Sequence, residues 1–283
     1  MKSLNEQGGK IYIVATPIGN LDDITLRAIE TLKKVDLILA EDTRHANILL
    51  QHYQIQTPCQ SFHAHNEQKK TEHYLNMVQK GTQLALISDA GTPLICDPGY
   101  PLIQQAQSLA ITIIPIPGPC ALICALSAAG VPTDKFTFYG FPPAKSQARK
   151  NFFQQLMSSP DTSIFYESTH RIIESLKDLK SVLGPNESII LAKELTKSYE
   201  QFQNQSIEQM IEWLQQIPQR TKGEFVIIVP ARDKNEPEEE VINHYLKTLL
   251  QHMGAKQASQ IANNLLNIPK NKLYQMALKL QNH

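Results

Sequence analysis

The sequence predicts an α/β protein with two α/β domains, a ligand cleft between them and a small all-helical C-terminal tail. Three observations predict this class. Short β-rich runs alternate with helix-like segments from about residue 10 to residue 230, a pattern typical of βαβ units. Beyond the charged segment ARDKNEPEEE the pattern becomes wholly helical. The length of 283 residues is enough for about two domains with separate cores. The predicted domains are 10–117, 118–232 and 233–283.

Composition excludes several classes of protein. With 42% hydrophobic residues, 19% charged residues and a formal net charge of zero, the chain shows no overall attraction for nucleic acid. No apolar run approaches 18 residues, and the start MKSLNEQGGK lacks the apolar core of a signal peptide. The four cysteines lack CxxC spacing and are interpreted as reduced thiols. We therefore expect a cytoplasmic protein that does not enter a membrane.

The first α/β domain is predicted from four strand-like runs and the helical segments between them. Strands that alternate with helices form right-handed units, which give a parallel sheet. The predicted strands are 10–15, 35–40, 83–88 and 111–116, and the predicted helices are 24–34, 44–53, 67–80 and 99–109.

The second α/β domain has strands with a different separation, so we expect a second sheet. A helix that follows Pro119 and ends at Gly130 leads into it. In the tail, the segment IANNLLNIPKNKLYQMALKL predicts two helices joined by a Pro-containing turn. The predicted strands of the second domain are 136–140, 162–166, 187–192 and 224–230, and its helices are 145–157, 168–183 and 206–216.

Three loops rich in proline and glycine each follow a strand-like run. They lie within YIVATPIGN (12–20), LALISDAGTPLICDPGYP (84–101) and ITIIPIPGPCALICALS (111–127). Such loops fall at the carboxyl edge of a parallel sheet, where ligands bind. Glycine lets the main chain approach a ligand, and proline fixes the loop shape. The chain has no GxxxxGK[ST] and no GxGxxG after a strand, so we expect a multi-group small molecule held by backbone groups.

Polar residues cluster after several of the predicted strands. Asp89 and Asp97 flank the middle loop, where they either accept hydrogen bonds from a ligand or cap the loop. The strings AEDTRH (40–45), FYESTHR (165–171) and AKELTK (192–197) also follow apolar runs. As a set they predict a cleft between two sheets.

Local charge leaves two interpretations open. The segment from Lys135 to Pro160 carries four Lys or Arg residues and no acid, and the segment from Val241 to His283 carries five lysines and no acid. These segments either contact RNA phosphates or form solvated helix faces.

His63 and His65 have a spacing found among zinc ligands, which raises a metal-dependent hydrolase as an alternative. Because HExxH and clustered cysteines are absent, we predict no metal.

Together, several motifs resemble the tetrapyrrole methylase family, and more narrowly its RNA-modifying branch. The motifs are VATPIGNLDDITLRA, AEDTRH, SDAGTPLICDPGYPL, PIPGPCALICALSAAG, FYESTHR and TKGEFVIIV, and PKNKLY near the end also fits this branch. The chain departs from the family pattern at two positions. Cys120 stands where serine is usual, and Thr169 stands where proline is usual, which predicts a looser turn there.

The resemblance implies S-adenosylmethionine bound in the cleft and a homodimer. It implies 2′-O-methylation of cytidine 1402, in the decoding centre of 16S rRNA, on the small ribosomal subunit. Carried onto this sequence, it assigns cofactor contact to residues of two loops and of the opposite wall, namely Asp89, Gly91, Thr92, Pro93, Asp97, Gly118, Pro119, Ala121 and Tyr166.

The sequence does not single out the base that removes the hydroxyl proton, and the candidates are Glu167, Glu67 and His65. Four basic residues are predicted to hold RNA phosphates, namely Arg44, Lys145, Arg149 and Arg171. Two further functions stay open beside the hydrolase. One is a tetrapyrrole or precorrin C-methyltransferase, and the other is a catalytically silent RNA-binding protein of ribosome assembly.

Overall fold

The structure, a computed structural model, describes residues 8–157, 159–231, 239–266 and 268–281. The chain divides into two compact units, Met1–Ala231 and Arg232–His283. The first unit contains two five-stranded sheets and the second contains helices, so the predicted fold class is confirmed. The exact domain boundaries given above stay predictions.

The first sheet is wholly parallel and has the strand order β3-β2-β4-β1-β5. Its two central runs, LILA in β2 and LALI in β4, are buried at every position, as expected for a parallel strand covered on both faces. The strands are β1 (Lys10–Val14), β2 (Leu37–Ala40), β3 (Cys59–Ser61), β4 (Leu84–Ile87) and β5 (Thr112–Ile116). The helices are α1 (Leu26–Lys34), α2 (Thr43–His52), α3 (Glu67–Gln79), α4 (Tyr100–Ser108) and α5 (Ala121–Ala128).

The strand order brings the three Pro/Gly loops together. Strand β1 pairs with β4 on one side and with β5 on the other. Because all three strands are parallel, the loops that leave them emerge at one edge of the sheet.

The second sheet is mixed and has the order β6-β7-β10-β8-β9. Only β6 and β7 pair in parallel, and the other neighbours are antiparallel. Helix α5 packs against this sheet, where Leu122 and Ala125 share a core with Ile164 and Val226. The strands are β6 (Phe136–Phe138), β7 (Thr162–Ser168), β8 (Ser188–Lys193), β9 (Gln201–Ser206) and β10 (Glu224–Val229), and the helices are α6 (Ser146–Met157), α7 (Ile172–Leu183) and α8 (Ile207–Gln216).

The second unit is helical throughout its described part, as predicted. Its helices are α9 (Glu239–Leu250), α10 (Ala255–Leu266) and α11 (Lys270–Gln281). The predicted Pro-containing turn lies between α10 and α11, where the Pro269 carbonyl accepts a hydrogen bond from the Lys272 N–H at 3.0 Å. The three helices share an apolar core that includes Leu246, Ala262 and Leu273. Across the described residues, no helix is both long and apolar enough to span a membrane.

Candidate functional site

The loops after β1, β4 and β5 are joined by hydrogen bonds. The Thr16 N–H donates to the Gly91 carbonyl at 2.9 Å, and the Gly91 N–H donates to the Thr16 carbonyl at 3.0 Å. The Thr92 hydroxyl donates to the Pro119 carbonyl at 3.1 Å. The three loops therefore form one connected wall.

A cavity of about 370 Å³ lies between this wall and the ends of β7 and β10. Tyr166 and Glu167 of β7 and Glu224 and Phe225 of β10 line the side opposite the loops. The cavity therefore lies between the two sheets of the first unit, where the polar strings predicted a cleft. Of the predicted site residues, those that line it are Asp89, Gly91, Thr92, Asp97, Ala121, Tyr166 and Glu167.

Three residues expected to contact the cofactor have supporting positions instead. Gly118 lies against the end of β1, since a Cβ there would be 3.0 Å from the Ala15 Cβ. Pro119 offers its carbonyl to Thr92, and Pro93 is buried. None of Pro93, Gly118 and Pro119 is among the residues that line the cavity. A side chain at position 118 would displace Ala15 before it reached a ligand.

The middle loop has an unusual backbone. Leu94 has a backbone φ of 74° and Cys96 one of 69°, a region that residues other than glycine rarely adopt. The Gly99 N–H at the end of this loop donates to Glu67 Oε2 at 2.7 Å. Glu67 therefore anchors the loop, and it is not among the cavity-lining residues. This placement gives no support to Glu67 as the base.

The carboxyl group of Asp97 occupies a destabilising position beside the cavity. Burial raises the pKa of Asp97 to about 6, and the charges of Glu41 and Asp89 add to this rise, while a hydrogen bond from Ser88 opposes it. Asp89 Oδ1 accepts the Asp42 N–H at 3.0 Å. No lysine, arginine or histidine is among the lining residues that the structure describes. The cavity thus favours a ligand that carries positive charge or hydrogen-bond donors.

Glu167 has one carboxyl oxygen satisfied and one free. Its Oε1 accepts the Ser168 N–H at 2.8 Å and lies 2.9 Å from the Arg171 guanidinium. Its Oε2 is buried and has no hydrogen-bond partner within the described part of the chain. A buried carboxylate oxygen without a donor is costly. Glu167 is among the cavity-lining residues, but its side chain is fully buried and alternates along β7 with that of Tyr166, on the face of Phe165. The free oxygen therefore does not reach the cavity, and Glu167 gains no support as the base.

Tyr166 fixes the start of α5 against the second sheet. The Leu122 N–H donates to the Tyr166 hydroxyl oxygen at 3.1 Å. Burial raises the pKa of Tyr166 well above its ordinary value, so the phenol stays protonated. The cavity wall at this point is therefore polar and neutral.

The predicted RNA-binding residues differ in accessibility. Lys145 is exposed, and the Arg44 side chain is 90% exposed beside Asp42, whose carboxylate lies 2.6 Å away. The Arg171 side chain is 25% exposed and holds Glu167. Arg149 is only 2% exposed and lies 2.7 Å from the Asp178 carboxylate. This placement gives no support to Arg149 as an RNA contact, because reaching a phosphate would break a buried ion pair.

The histidine pair lies in the loop between β3 and α3, not on a strand. The rings of His63 and His65 are 5.9 Å apart, and His65 is exposed and not among the cavity-lining residues. His65 therefore gains no support as the base. No three His, Cys, Asp or Glu side chains of the described residues are grouped so that they could hold a metal ion.

Sequence reasoning missed several apolar residues that line the cavity. Among those with a large side chain, Phe141 is the most exposed, at 52%. It comes just after strand β6, following Tyr139 and Gly140. The run Gly-Phe-Pro-Pro after a strand was a usable signal, since it repeats the composition of the other site loops. Others are Ile18, Ile95, Cys96, Leu195 and Phe225.

The geometry defines a class of protein, in which two α/β sheets enclose a small-molecule cavity bordered by Pro/Gly loops. The profile of the Tetrapyrrole (Corrin/Porphyrin) Methylases matches residues 10–211, and that of the RsmI C-terminal HTH domain matches residues 235–281. Solved structures agree on the fold. Diphthine synthase has a TM-score of 0.63 at 10% identity and covers 78% of this chain and 90% of its own. Uroporphyrin-III C-methyl transferase from Thermus thermophilus, complexed with S-adenyl homocysteine, has a TM-score of 0.54 at 14% identity and covers 78% and 97%.

Closer relatives share most of the sequence. Ribosomal RNA small subunit methyltransferase I of Haemophilus influenzae is 47% identical over 95% of this chain and 96% of its own length. The protein of the same name from Escherichia coli O157:H7 is 46% identical over 99% and 98%. The chain therefore belongs to the tetrapyrrole methylase family and, within it, to the ribosomal RNA small subunit methyltransferase I group. The resemblance stated from the motifs is confirmed.

Proposed function

We propose that this protein methylates the ribose 2′-oxygen of cytidine 1402 in 16S rRNA, on the small ribosomal subunit, with S-adenosylmethionine as methyl donor. The observation that carries the proposal is identity of 42–47% over nearly the whole chain to proteins named for small-subunit rRNA methylation. An rRNA substrate implies a reaction in the cytoplasm. The homodimer implied by the resemblance stays a prediction.

The residues around the cavity fit S-adenosylmethionine. This cofactor supplies, when bound, a methyl group on a positively charged sulfur. Gly91 and Ala121 of the Pro/Gly wall line the cavity, and Thr92 and Tyr166 complete the binding residues. The carboxylates of Asp89 and Asp97 match a donor that carries hydroxyl, ammonium and sulfonium groups. The volume of about 370 Å³ is within the range of small-molecule sites.

Glu167 acts in this proposal as a positioning residue. Its side chain is fully buried, and Arg171 and the Ser168 N–H hold Oε1, so the carboxylate keeps the end of β7 in place beside the cavity and does not touch the acceptor hydroxyl. Alignment of the methyl donor with the ribose oxygen can contribute an effective molarity of about 10⁵–10⁸ M.

RNA is held by exposed cations outside the cavity. In the first unit, Lys145 and Arg44 contact phosphates in this proposal, and Arg171 acts through Glu167. The lysines of the second unit add to the same salt-dependent binding. Contacts to phosphates fix the register of the RNA and leave the choice of nucleotide to the cavity.

The two rival functions have less support. The tetrapyrrole C-methyltransferases among the solved structures are 14–17% identical, far below the relatives named for rRNA. A silent assembly protein would have no use for a cofactor-sized cavity bordered by the carboxylates of Asp89 and Asp97.

The proposal is tested by labelled-methyl transfer to small subunits from a strain that lacks the modification. We expect one methyl group per subunit, on a ribose oxygen of cytidine 1402. Methyl groups on base carbons, or at another nucleotide, would reject the proposal. Calorimetric titration with S-adenosylmethionine should show binding, and no binding would favour the silent protein.

A further inference from the structure

Phe141 stands at the mouth of the cavity in a position that the methyl donor alone does not explain. It lines the cavity and is 52% exposed, so its ring is open to both the cavity and the solvent. Its ring centroid is 5.5 Å from that of Tyr166, in an edge-to-face arrangement, and Tyr166 makes a similar contact with Phe138 at 4.9 Å. Phe141 is thus the exposed end of an aromatic row that begins in the second sheet.

The loop that carries Phe141 is held by two arginines. Arg171 Nη1 donates to the Pro142 carbonyl at 3.3 Å. Arg149 Nη1 donates to the Ala144 carbonyl at 3.1 Å, while its Nε donates to Asp178 at 2.9 Å. Two prolines, Pro142 and Pro143, restrict the backbone further. The exposed ring therefore projects from a fixed loop and loses little conformational entropy on binding a partner.

The Phe141 loop also connects to the loop wall of the cavity. Gly140 has φ 67°, and a Cβ at this position would lie 3.2 Å from Cys96 Sγ in the middle loop. Phe141 consequently has a set position relative to the site that Asp97 and Glu167 border.

We infer that Phe141 is a stacking platform for the base of the acceptor nucleotide. The inference rests on the proposed function, because it takes RNA as the acceptor. A ribose whose hydroxyl reaches the methyl donor inside the cavity leaves its base at the mouth, within reach of an exposed aromatic ring. Proteins that read unpaired RNA stack bases on Phe, Tyr or Trp in this manner. Lys145, exposed four residues further on, is placed to hold a phosphate of the same strand.

The test compares four variants of the full-length protein in methyl transfer to unmodified small subunits. Phe141→Ala removes the ring, Phe141→Leu keeps apolar bulk, and Phe141→Trp keeps a flat aromatic surface. Phe136→Ala is the matched control, since Phe136 is an aromatic residue with 39% exposure that does not line the cavity. The affinity for S-adenosylmethionine is measured for each variant by calorimetry.

We expect Phe141→Ala and Phe141→Leu to lower kcat/KM for subunits about 10-fold or more, the scale of base–aromatic stacking, with cofactor affinity within about threefold of wild type. Phe141→Trp should retain at least about half of the wild-type value, and Phe136→Ala should match wild type. Equal activity of the Leu and Trp variants would overturn the inference, because bulk alone would then suffice. Loss of cofactor affinity in Phe141→Ala would overturn it too.

The wild-type arm separates this inference from the proposed function. If wild type methylates the ribose and the variants equal it, only the stacking platform is rejected. If wild type transfers no methyl to subunits, the proposed function fails and the platform fails with it.

Discussion

At the scale of single residues, Asp97 should lower the stability of the fold when it is ionised. Its pKa of about 6 exceeds the ordinary value of 3.8, chiefly because of burial. Between these two values the folded state binds a proton that the unfolded state does not, so the free energy of unfolding falls as pH rises through this window. Above about pH 6 the full penalty applies, and below about pH 4 it is absent.

We therefore predict that Asp97→Asn stabilises the protein at pH 7.5 by about 1 kcal/mol, a value reduced for the partial exposure of the group. At pH 4 the gain should vanish. Urea unfolding at both pH values measures the difference, with the exposed Asp134→Asn as control. A gain of equal size at both pH values would contradict this cause. The variant should also bind S-adenosylmethionine more weakly, as expected when a binding residue costs stability.

The sequence predicted residues of the site better than it predicted their roles. FYESTHR identified Tyr166 and Glu167 because polar residues follow an apolar strand. The pattern could not tell which of Glu167 and Glu67 borders the cavity, since only the fold shows that Glu67 accepts a hydrogen bond from the Gly99 N–H. Thr169, expected to loosen its turn, instead donates to the Gly223 carbonyl at 2.6 Å and accepts the Gly223 N–H at 2.8 Å. The Thr169 hydroxyl thus gives the turn two hydrogen bonds that a proline at this position could not make.

At the scale of elements, a buried ion pair joins α6 and α7. The Asp178 carboxylate on α7 accepts hydrogen bonds from the Arg149 guanidinium and from the Ser146 hydroxyl, both on α6. Asp178→Ala would leave Arg149 buried without a carboxylate, and we predict a loss of about 3–5 kcal/mol in the free energy of unfolding.

Urea unfolding of Asp178→Ala measures this loss. The control is Glu208→Ala, which removes a half-exposed pair with Lys180 and should cost at most about 1 kcal/mol. Replacing both members of the buried pair, as Arg149→Met with Asp178→Leu, should recover much of the stability. Similar losses in Asp178→Ala and Glu208→Ala would show that burial of the pair has no special cost.

Elements with strong apolar patterns were predicted, and two weak strands were not. The sequence indicated β1, β2, β4 and β5 because each is a run of mostly apolar residues. The strands β3 (CQS) and β9 (QFQNQS) lie at sheet edges and are mostly polar, so no hydrophobic period marks them. Their pairing with β2 and β8 depends on neighbours distant in sequence, which a local pattern does not contain.

At the scale of the whole molecule, a net charge of zero hides an uneven distribution of lysines. The second unit has five lysines from Val241 onwards and no acid in that stretch, and Lys247, Lys256, Lys272 and Lys279 are exposed. All residues that line the cavity belong to the first unit. The two units therefore allow separate tests of cofactor binding and RNA binding.

We predict that a chain ending at Ala231 binds S-adenosylmethionine within about threefold of the full-length affinity but binds small subunits at least about 10-fold more weakly. Its affinity should also depend less on salt, since the log–log slope decreases by about 0.7–0.9 for each phosphate that the protein no longer neutralises. Filter binding across a salt series measures both quantities. A second protein keeps the whole chain but carries Gln in place of Lys247, Lys256 and Lys279. It tests whether the charge of the second unit, and not merely its presence, binds RNA. We expect a reduced salt slope and an unchanged affinity for S-adenosylmethionine. An unaltered slope in both proteins would mean that RNA is held by the first unit alone, through cations such as Lys145 and Arg44.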